Sequence, residues 1–204
     1  RVHLEEDTGK SSHPEKPGDR EETRLDFNRC GVPLAEMVSE PAMRSAEEAF
    51  AYLVALRRLV RWLGISDGDM EKGSLRCDAN VSIRPVGAKE FGTRSEIKNL
   101  NSIMGVKNAI LAEVARQTGV LDAGGTITQA TLLWDQDKER LQVMRSKEEA
   151  HDYRYFPEPD LPPLDFPAAA LEAERAALPE LPLDRARRFE AALGLPAYDA
   201  DLLT

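Results

Sequence analysis

A polar–apolar alternation over residues 74–84, taken up again over 92–99, constrains this chain more than any other feature. Leu75, Cys77, Ala79, Val81 and Ile83 alternate with Ser74, Arg76, Asp78, Asn80, Ser82 and Arg84, the period-two pattern of a strand that buries one face. After a loop through Pro85 and Gly87, the second stretch sets Arg94, Glu96 and Lys98 on one side. Paired as a hairpin, the two stretches would merge their polar sides into one surface of acids and bases.

Helical periodicity frames this hairpin. Ser45 followed by Glu48 has capping-box spacing, and Ala49, Phe50, Leu53, Leu56, Val60 and Leu63 recur at helical intervals as far as Gly64, which predicts a helix over about 46–63. A second helix is expected after Asn101 or Ser102, through Ile103, Val106, Ile110 and Val114 to Gly119. Strands over about 126–133 and 140–145 flank the polar turn Asp135–Glu139 as a second hairpin. Residues 10–25, with Gly9, Pro14, Pro17 and Gly18 nearby, read as an exposed loop. The fold class is therefore α+β, with mainly antiparallel strands and flanking helices. Beyond the Pro-rich stretch Pro157–Pro167 the chain becomes rich in Ala, Leu and Glu. A domain junction is expected near residue 170, with residues 171–204 opening a helical region.

Composition excludes some functions. With 204 residues, 42% of them hydrophobic, the chain can bury a core, and it has no run of about 18 apolar residues to cross a bilayer. A soluble protein with no membrane partner is expected. Two cysteines, Cys30 and Cys77, without a CxxC pair suit a reducing cytoplasm. The net charge of -9 argues against a nonspecific, phosphate-dominated nucleic-acid binder. Residues 145–204 hold 13 acids and 7 bases, so the preceding region is nearly balanced and can gather its cations into one cleft. Arg1-Val2-His3-Leu4 has neither an initiator Met nor a signal-peptide core, and the chain reads as an internal fragment.

Several short patterns invite chemistry. Gly9-Lys10-Ser11 resembles the end of a phosphate loop, but Leu4 stands where that motif needs its first glycine. Glu5-Glu6-Asp7 could hold Mg²⁺ through carboxylate oxygens, or be a solvated charge run; spacing alone favours the charge run. If it is a strand, His3, Glu5 and Asp7 share one face and Glu6 the other. On the hairpin, Asp78 and Glu96 stand among Arg76, Arg84, Arg94 and Lys98. Carboxylates that hold Mg²⁺ and cations that neutralise phosphate are what phosphoryl transfer requires. Cross-strand ion pairs on a solvent-facing hairpin would look the same. His3, His13 and His151 are too dispersed to argue for a metal site.

Longer strings go further. His3-Leu4-Glu5-Glu6-Asp7, Asp26-Phe27-Asn28-Arg29, Ser39-Glu40-Pro41, Gly73-Ser74-Leu75-Arg76-Cys77-Asp78-Ala79-Asn80, Glu96-Ile97-Lys98-Asn99-Leu100-Asn101-Ser102 and Asp152-Tyr153-Arg154-Tyr155-Phe156-Pro157 occur in this order, with Leu195-Pro196-Ala197-Tyr198-Asp199 near the end. Together they resemble the B-subunit family of the GatCAB tRNA-dependent amidotransferases across essentially the whole chain. The resemblance implies that residues 1–170 form a cradle domain similar to glutamine synthetase and guanido kinases, lacking its amino-terminal segment with a Glu-x-His metal motif. It implies a ligase that forms a carbon–nitrogen bond with glutamine as amido donor. ATP and Mg²⁺ would activate the side-chain carboxylate of Asp-tRNA(Asn) or Glu-tRNA(Gln), and ammonia would then displace phosphate. Subunits A and C and the acceptor end of the mischarged tRNA are the implied partners. Glu6 and Glu96 match family carboxylates at the metal site, Glu6 also near an ammonia-channel exit, with Asp78 on the same face as Glu96 and Glu5 in support. Arg76, Arg94 and Lys98 are candidate phosphate contacts from charge and strand parity. A guanido-kinase-like phosphotransferase of small molecules and a non-catalytic scaffold that presents tRNA are the rival readings.

Overall fold

The computed structural model describes residues 1–12, 23–146, 163 and 165–204. His13, His151 and the string Asp152–Pro157 lie outside the described residues. The chain divides into two compact units, Arg1–Met43 and Arg44–Thr204.

The first unit is built from two antiparallel pairs. Strand β1 (Val2–Glu6) pairs with β4 (Pro33–Met37), and β2 (Lys10–Ser12) with β3 (Arg24–Asp26). The expected loop over 10–25 is thus corrected at both ends, where Lys10 to Ser12 face Asp26 to Arg24 in a short ladder. The β1–β4 register is unbroken, so the alternation read from the sequence holds. His3 and Asp7 on one face are partly buried, but Glu5 between them is exposed, as are Val2, Leu4 and Glu6 on the other face.

In the second unit, helix α1 (Ala46–Trp62) starts where the Ser45 hydroxyl accepts the Glu48 N–H at 3.1 Å. The Glu48 carboxylate reaches back to the Arg44 N–H at 2.6 Å, one residue beyond the usual capping-box partner. A mixed sheet follows in the order β5 (Ala79–Val81), β6 (Ser95–Lys98), β7 (Ala130–Asp135), β8 (Arg140–Ser146). The β5–β6 and β7–β8 pairs are antiparallel hairpins, as expected. Between them β6 and β7 run parallel, which the 20-residue helix α2 (Ile103–Asp122) makes possible as a crossover. The core beneath the sheet comprises Leu53, Val81, Ile97, Leu100, Val106, Ala109, Ala130, Leu132 and Trp134.

Three boundaries depart from the sequence expectation, each for an identifiable reason. Strand β5 is shorter than 75–83: it lies at the sheet edge, and beyond Val81 the Ile83 N–H donates to the Gln117 side-chain oxygen at 3.1 Å instead of a strand. Helix α2 passes through Gly119 and stops at Gly124, which takes φ 75°. There the Gly124 and Gly125 N–H groups close on the Leu121 and Val120 carbonyls at 2.9 Å, a glycine-dependent helix end. Strand β7 consequently starts at Ala130 rather than 126. The α2 core face also differs, because Val114 is exposed while Glu113 and Gln117 are buried. Helices α3 (Ala168–Ala177), α4 (Pro182–Leu193) and α5 (Ala197–Leu202) complete the chain. Trp62 joins α1 to this region by donating its indole N–H to the Glu180 carbonyl at 3.1 Å, with Arg185 stacked 4.5 Å over its ring. Arg58 forms a two-pronged pair with Asp201.

Candidate functional site

The β5–β6 hairpin carries the candidate site. Its register sets Asn80 opposite Glu96 and Val81 opposite Ser95. Glu96 and Lys98, two residues apart, therefore share the outward face, while Ser95 and Ile97 point to the core and are fully buried. Asp78 immediately precedes β5. The Lys98 ammonium lies 2.5 Å from Asp78 Oδ2 and 3.1 Å from Glu96 Oε1. The other Glu96 oxygen accepts the Thr131 hydroxyl at 3.3 Å, and Thr131 is the register partner of Glu96 on β7. Two neighbouring strands thus fix one carboxylate.

Burial pulls the Lys98 pKa down, but hydrogen bonds and charge from Asp78 and then Glu96 outweigh it, and the net shift is upward. Lys98 stays an ammonium throughout the physiological range. The three side chains are neither buried nor freely solvated: Lys98 is 36%, Asp78 48% and Glu96 23% exposed. Ion pairs this open contribute at most about 1 kcal/mol each, so stability alone does not require them. Chemically, two carboxylates converge on one cationic point. Hard oxygen donors in that arrangement suit Mg²⁺, which commonly takes one or two carboxylates and completes its shell with water and phosphate oxygens. The fit is partial, since the described residues contain no cluster of three or more metal-ligating side chains.

Arg76 and Arg94 are exposed and stand outside the ladder, Arg76 three residues before β5 and Arg94 one before β6. Directly after Lys98 the chain turns at Asn99, in the left-handed region with φ 64°. Asparagine tolerates that conformation better than most residues, and its side-chain amide is tied to the Trp134 carbonyl at 3.0 Å. Glu6 ends β1 in the first unit and is exposed. One of its carboxylate oxygens lies 3.3 Å from where a Cβ on Gly31, at φ 82°, would sit. Glu5 is exposed opposite Leu34, and Asp7 pairs with Arg29 at 3.0 Å.

Sequence reasoning missed what supports the hairpin from inside. Glu113 is fully buried on α2 and receives Arg116 through two bonds of 2.7 Å and Gln117 through one of 2.7 Å. Gln117 also donates to the Val81 carbonyl at 3.1 Å, and Arg116 reaches the Ser95 hydroxyl at 3.4 Å. Burial pushes the Glu113 pKa up, yet the Arg116, Gln117 and Ser95 hydrogen bonds and the Arg116 charge more than reverse it. The signal is present in the spacing: continuing from Val106 and Ala109 at helical intervals reaches Glu113 and Gln117, not Val114.

Comparison with known proteins decides the family. The description "GatB/GatE catalytic domain" matches residues 1–172. This chain belongs to that family. Several curated relatives carry the name of the B subunit of aspartyl/glutamyl-tRNA(Asn/Gln) amidotransferase. That of Salinibacter ruber is 58% identical over 204 residues, all of this chain and 40% of the relative. The Chlorobaculum tepidum relative is 57% identical over 204 residues, covering all of this chain and 42% of its own length. The Bordetella pertussis relative is 57% identical over 206 residues, covering all of this chain and 43% of its own length. The chain therefore spans about two fifths of the curated relatives it matches. The hairpin site lies wholly within the family-matched segment.

Proposed function

We propose that this chain carries the activation step of a tRNA-dependent amidotransferase, a ligase that converts Asp-tRNA(Asn) or Glu-tRNA(Gln) to the amide with ammonia drawn from glutamine. The observation that carries the reading is the Asp78–Lys98–Glu96 triad on the outward face of the hairpin, within the segment matched to the family. Mg-ATP would supply the phosphoryl group and the electrophilic phosphorus. Asp78 and Glu96 would hold the cation, Thr131 would keep the Glu96 carboxylate oriented, and Lys98 would exchange its carboxylate partners for phosphate oxygens. Such charge placement acts most strongly where negative charge spreads over the transferring group. Arg76 and Arg94 are the further expected phosphate contacts. Attack by the aminoacyl carboxylate on the terminal phosphorus gives an acyl phosphate and ADP, and ammonia then displaces phosphate at the carbonyl carbon. Subunits A and C are the expected partners, A as the glutaminase, in the cytoplasm.

Glu96→Gln in the assembled complex tests this reading. It removes a metal-binding charge but keeps shape and the Thr131 hydrogen bond, so amidation should fall by about 100-fold or more. Glutamine hydrolysis should persist at least in part. Unchanged amidation would remove Glu96 from the site.

A further inference from the structure

Away from the hairpin, α1 and the start of α2 enclose a groove of about 490 Å³ lined by Val54, Arg57, Arg58, Arg61, Trp62 and Ile103. Its three guanidinium groups differ in their commitments. Arg58 is engaged by Asp201. Arg57 and Arg61, one helical turn apart, are exposed and form no ion pair among the described residues. The nearest acids in sequence are occupied within their own loop. Asp67 accepts the Asp69 N–H at 2.9 Å, and Asp69 takes the Glu71 and Lys72 N–H groups and the Lys72 ammonium.

Arginines at a helix C-terminus often serve the helix itself, by capping its last carbonyls or opposing its dipole. Here backbone groups already cap those carbonyls: the Leu63, Gly64 and Ile65 N–H groups bond to Leu59, Arg61 and Val60 at 3.0–3.1 Å. The arginines are nonetheless held in place. Gly68, at φ 65°, brings the following loop so close that a Cβ there would lie 2.8 Å from the Arg57 Cγ and 3.6 Å from the Arg61 Cγ. Trp62 is pinned by Glu180 and Arg185. Two positioned guanidinium groups thus stand beside an apolar wall of Val54 and Ile103.

We propose that this groove binds the phosphodiester backbone of RNA, with Arg57 and Arg61 as the contacting residues. Guanidinium forks match phosphate oxygens, and apolar walls accept the sugar edge. A Mg-nucleotide fits less well, because among the described residues no carboxylate lines the groove to share a metal ion. The RNA is the tRNA substrate, so this inference rests on the proposed function.

The test is Arg57→Gln/Arg61→Gln in the assembled amidotransferase, which removes charge but keeps the stems packed under the Gly68 loop. Arg187→Gln, an exposed arginine of α4 beside Asp184, is the control. Binding of mischarged tRNA is measured across salt concentrations, together with the KM for ATP. Each lost phosphate contact should lower the slope of log affinity against log salt by about one. Affinity near physiological salt should weaken roughly tenfold, with the KM for ATP and the control unchanged. Arg57→Lys/Arg61→Lys should restore most of the slope, since charge rather than shape sets it.

An unchanged slope in the double Gln variant, where the wild-type complex amidates tRNA, overturns the groove and leaves the proposed function standing. A raised KM for ATP at unchanged tRNA affinity overturns it in favour of a nucleotide site. A lowered slope in a complex that binds tRNA without amidating it supports the groove and sinks the proposed activity.

Discussion

On the outward face of β6, Lys98 draws together Asp78 and Glu96; on its inward face, Ser95 meets Glu113, Arg116 and Gln117. Both clusters combine carboxylate and cation within hydrogen-bonding distance, and they differ in what surrounds them. The inner cluster is closed: Glu113 is inaccessible, and its partner Gln117 ties α2 to the edge strand at Val81 and to Ile83 just beyond it. The outer cluster is half open and could exchange its partners for metal and phosphate. The same groups thus serve as a fastener where water is excluded and as a candidate reaction site where it is not. Low local dielectric makes an unmet buried charge costly, whereas the open pairs are cheap to rearrange.

The sharpest way to break this contrast is Glu113→Ala. It takes one buried acceptor from the Gln117 amide, which keeps Val81 and Ile83, and removes the carboxylate partner of Arg116; losing such buried partners costs about 1–3 kcal/mol. Chemical denaturation should show a loss of that size, and under the proposed function amidation should fall only as the folded fraction falls. A stability change below about 0.5 kcal/mol, the range of ordinary surface substitutions, would mean that the inner cluster is no fastener. The pH dependence has a defined sign. Because the folded-state pKa of Glu113 lies below its ordinary value of 4.5, its contribution is present above 4.5 and is lost as pH falls through the folded value. Glu113→Gln should flatten the stability curve in that acid range.

Lys98→Ala sharpens the other half. It leaves Asp78 and Glu96 facing each other without their shared cation, on a surface where stability should move by no more than about 0.5 kcal/mol. The ATP requirement should rise, or the activation rate drop, roughly tenfold if Lys98 meets phosphate. Arg76→Ala should act in the same direction. Arg187→Ala is the proper comparison, since it sits exposed on α4. Arg188 is unsuitable because Glu180 clasps it at 2.6 and 2.7 Å. Equal effects from Lys98 and Arg187 would show that general electrostatics, not a site, governs the response.

The difference between the clusters also explains what could be read in advance. Strand parity alone places Glu96 and Lys98 together, because alternation is a local property of the chain. The hairpin pairing, the Ser45 cap and the turn at 135–139 follow from equally local signals. The β6–β7 parallel pairing does not, since it depends on where a 20-residue helix returns the chain. Nor does the end of β5, which Gln117 sets from 34 residues away. The α2 face is misjudged when apolar residues are followed in preference to position, and a buried Glu–Arg–Gln set looks like a solvated face in composition. The arginine groove escapes notice for a related reason: Arg57, Arg58 and Arg61 read as ordinary surface charges, and the Glu180 and Asp201 groups that hold Trp62 and Arg58 lie far along the chain.

The smallest expected effect tests the boundary between the two faces at adjacent residues. Cys77 packs against the core while Asp78 reaches Lys98. Burial, followed by the Asp78 charge, pushes the Cys77 thiol up to about 11. A thiol reacts as its thiolate, so at neutral pH Cys77 should be nearly inert, whereas Cys30 is exposed. A thiol-specific reagent should therefore label one equivalent quickly and the second only on unfolding. Asp78→Asn removes only the lesser of the two causes, so Cys77 should remain slow in the folded chain. Fast labelling of both cysteines in the native protein would mean that residue 77 is open to solvent and that the inward face does not begin where the packing places it. Fast labelling confined to Asp78→Asn would mean that the outer charge, rather than burial, protects the thiol, and the two faces would then be electrostatically coupled across a single peptide unit.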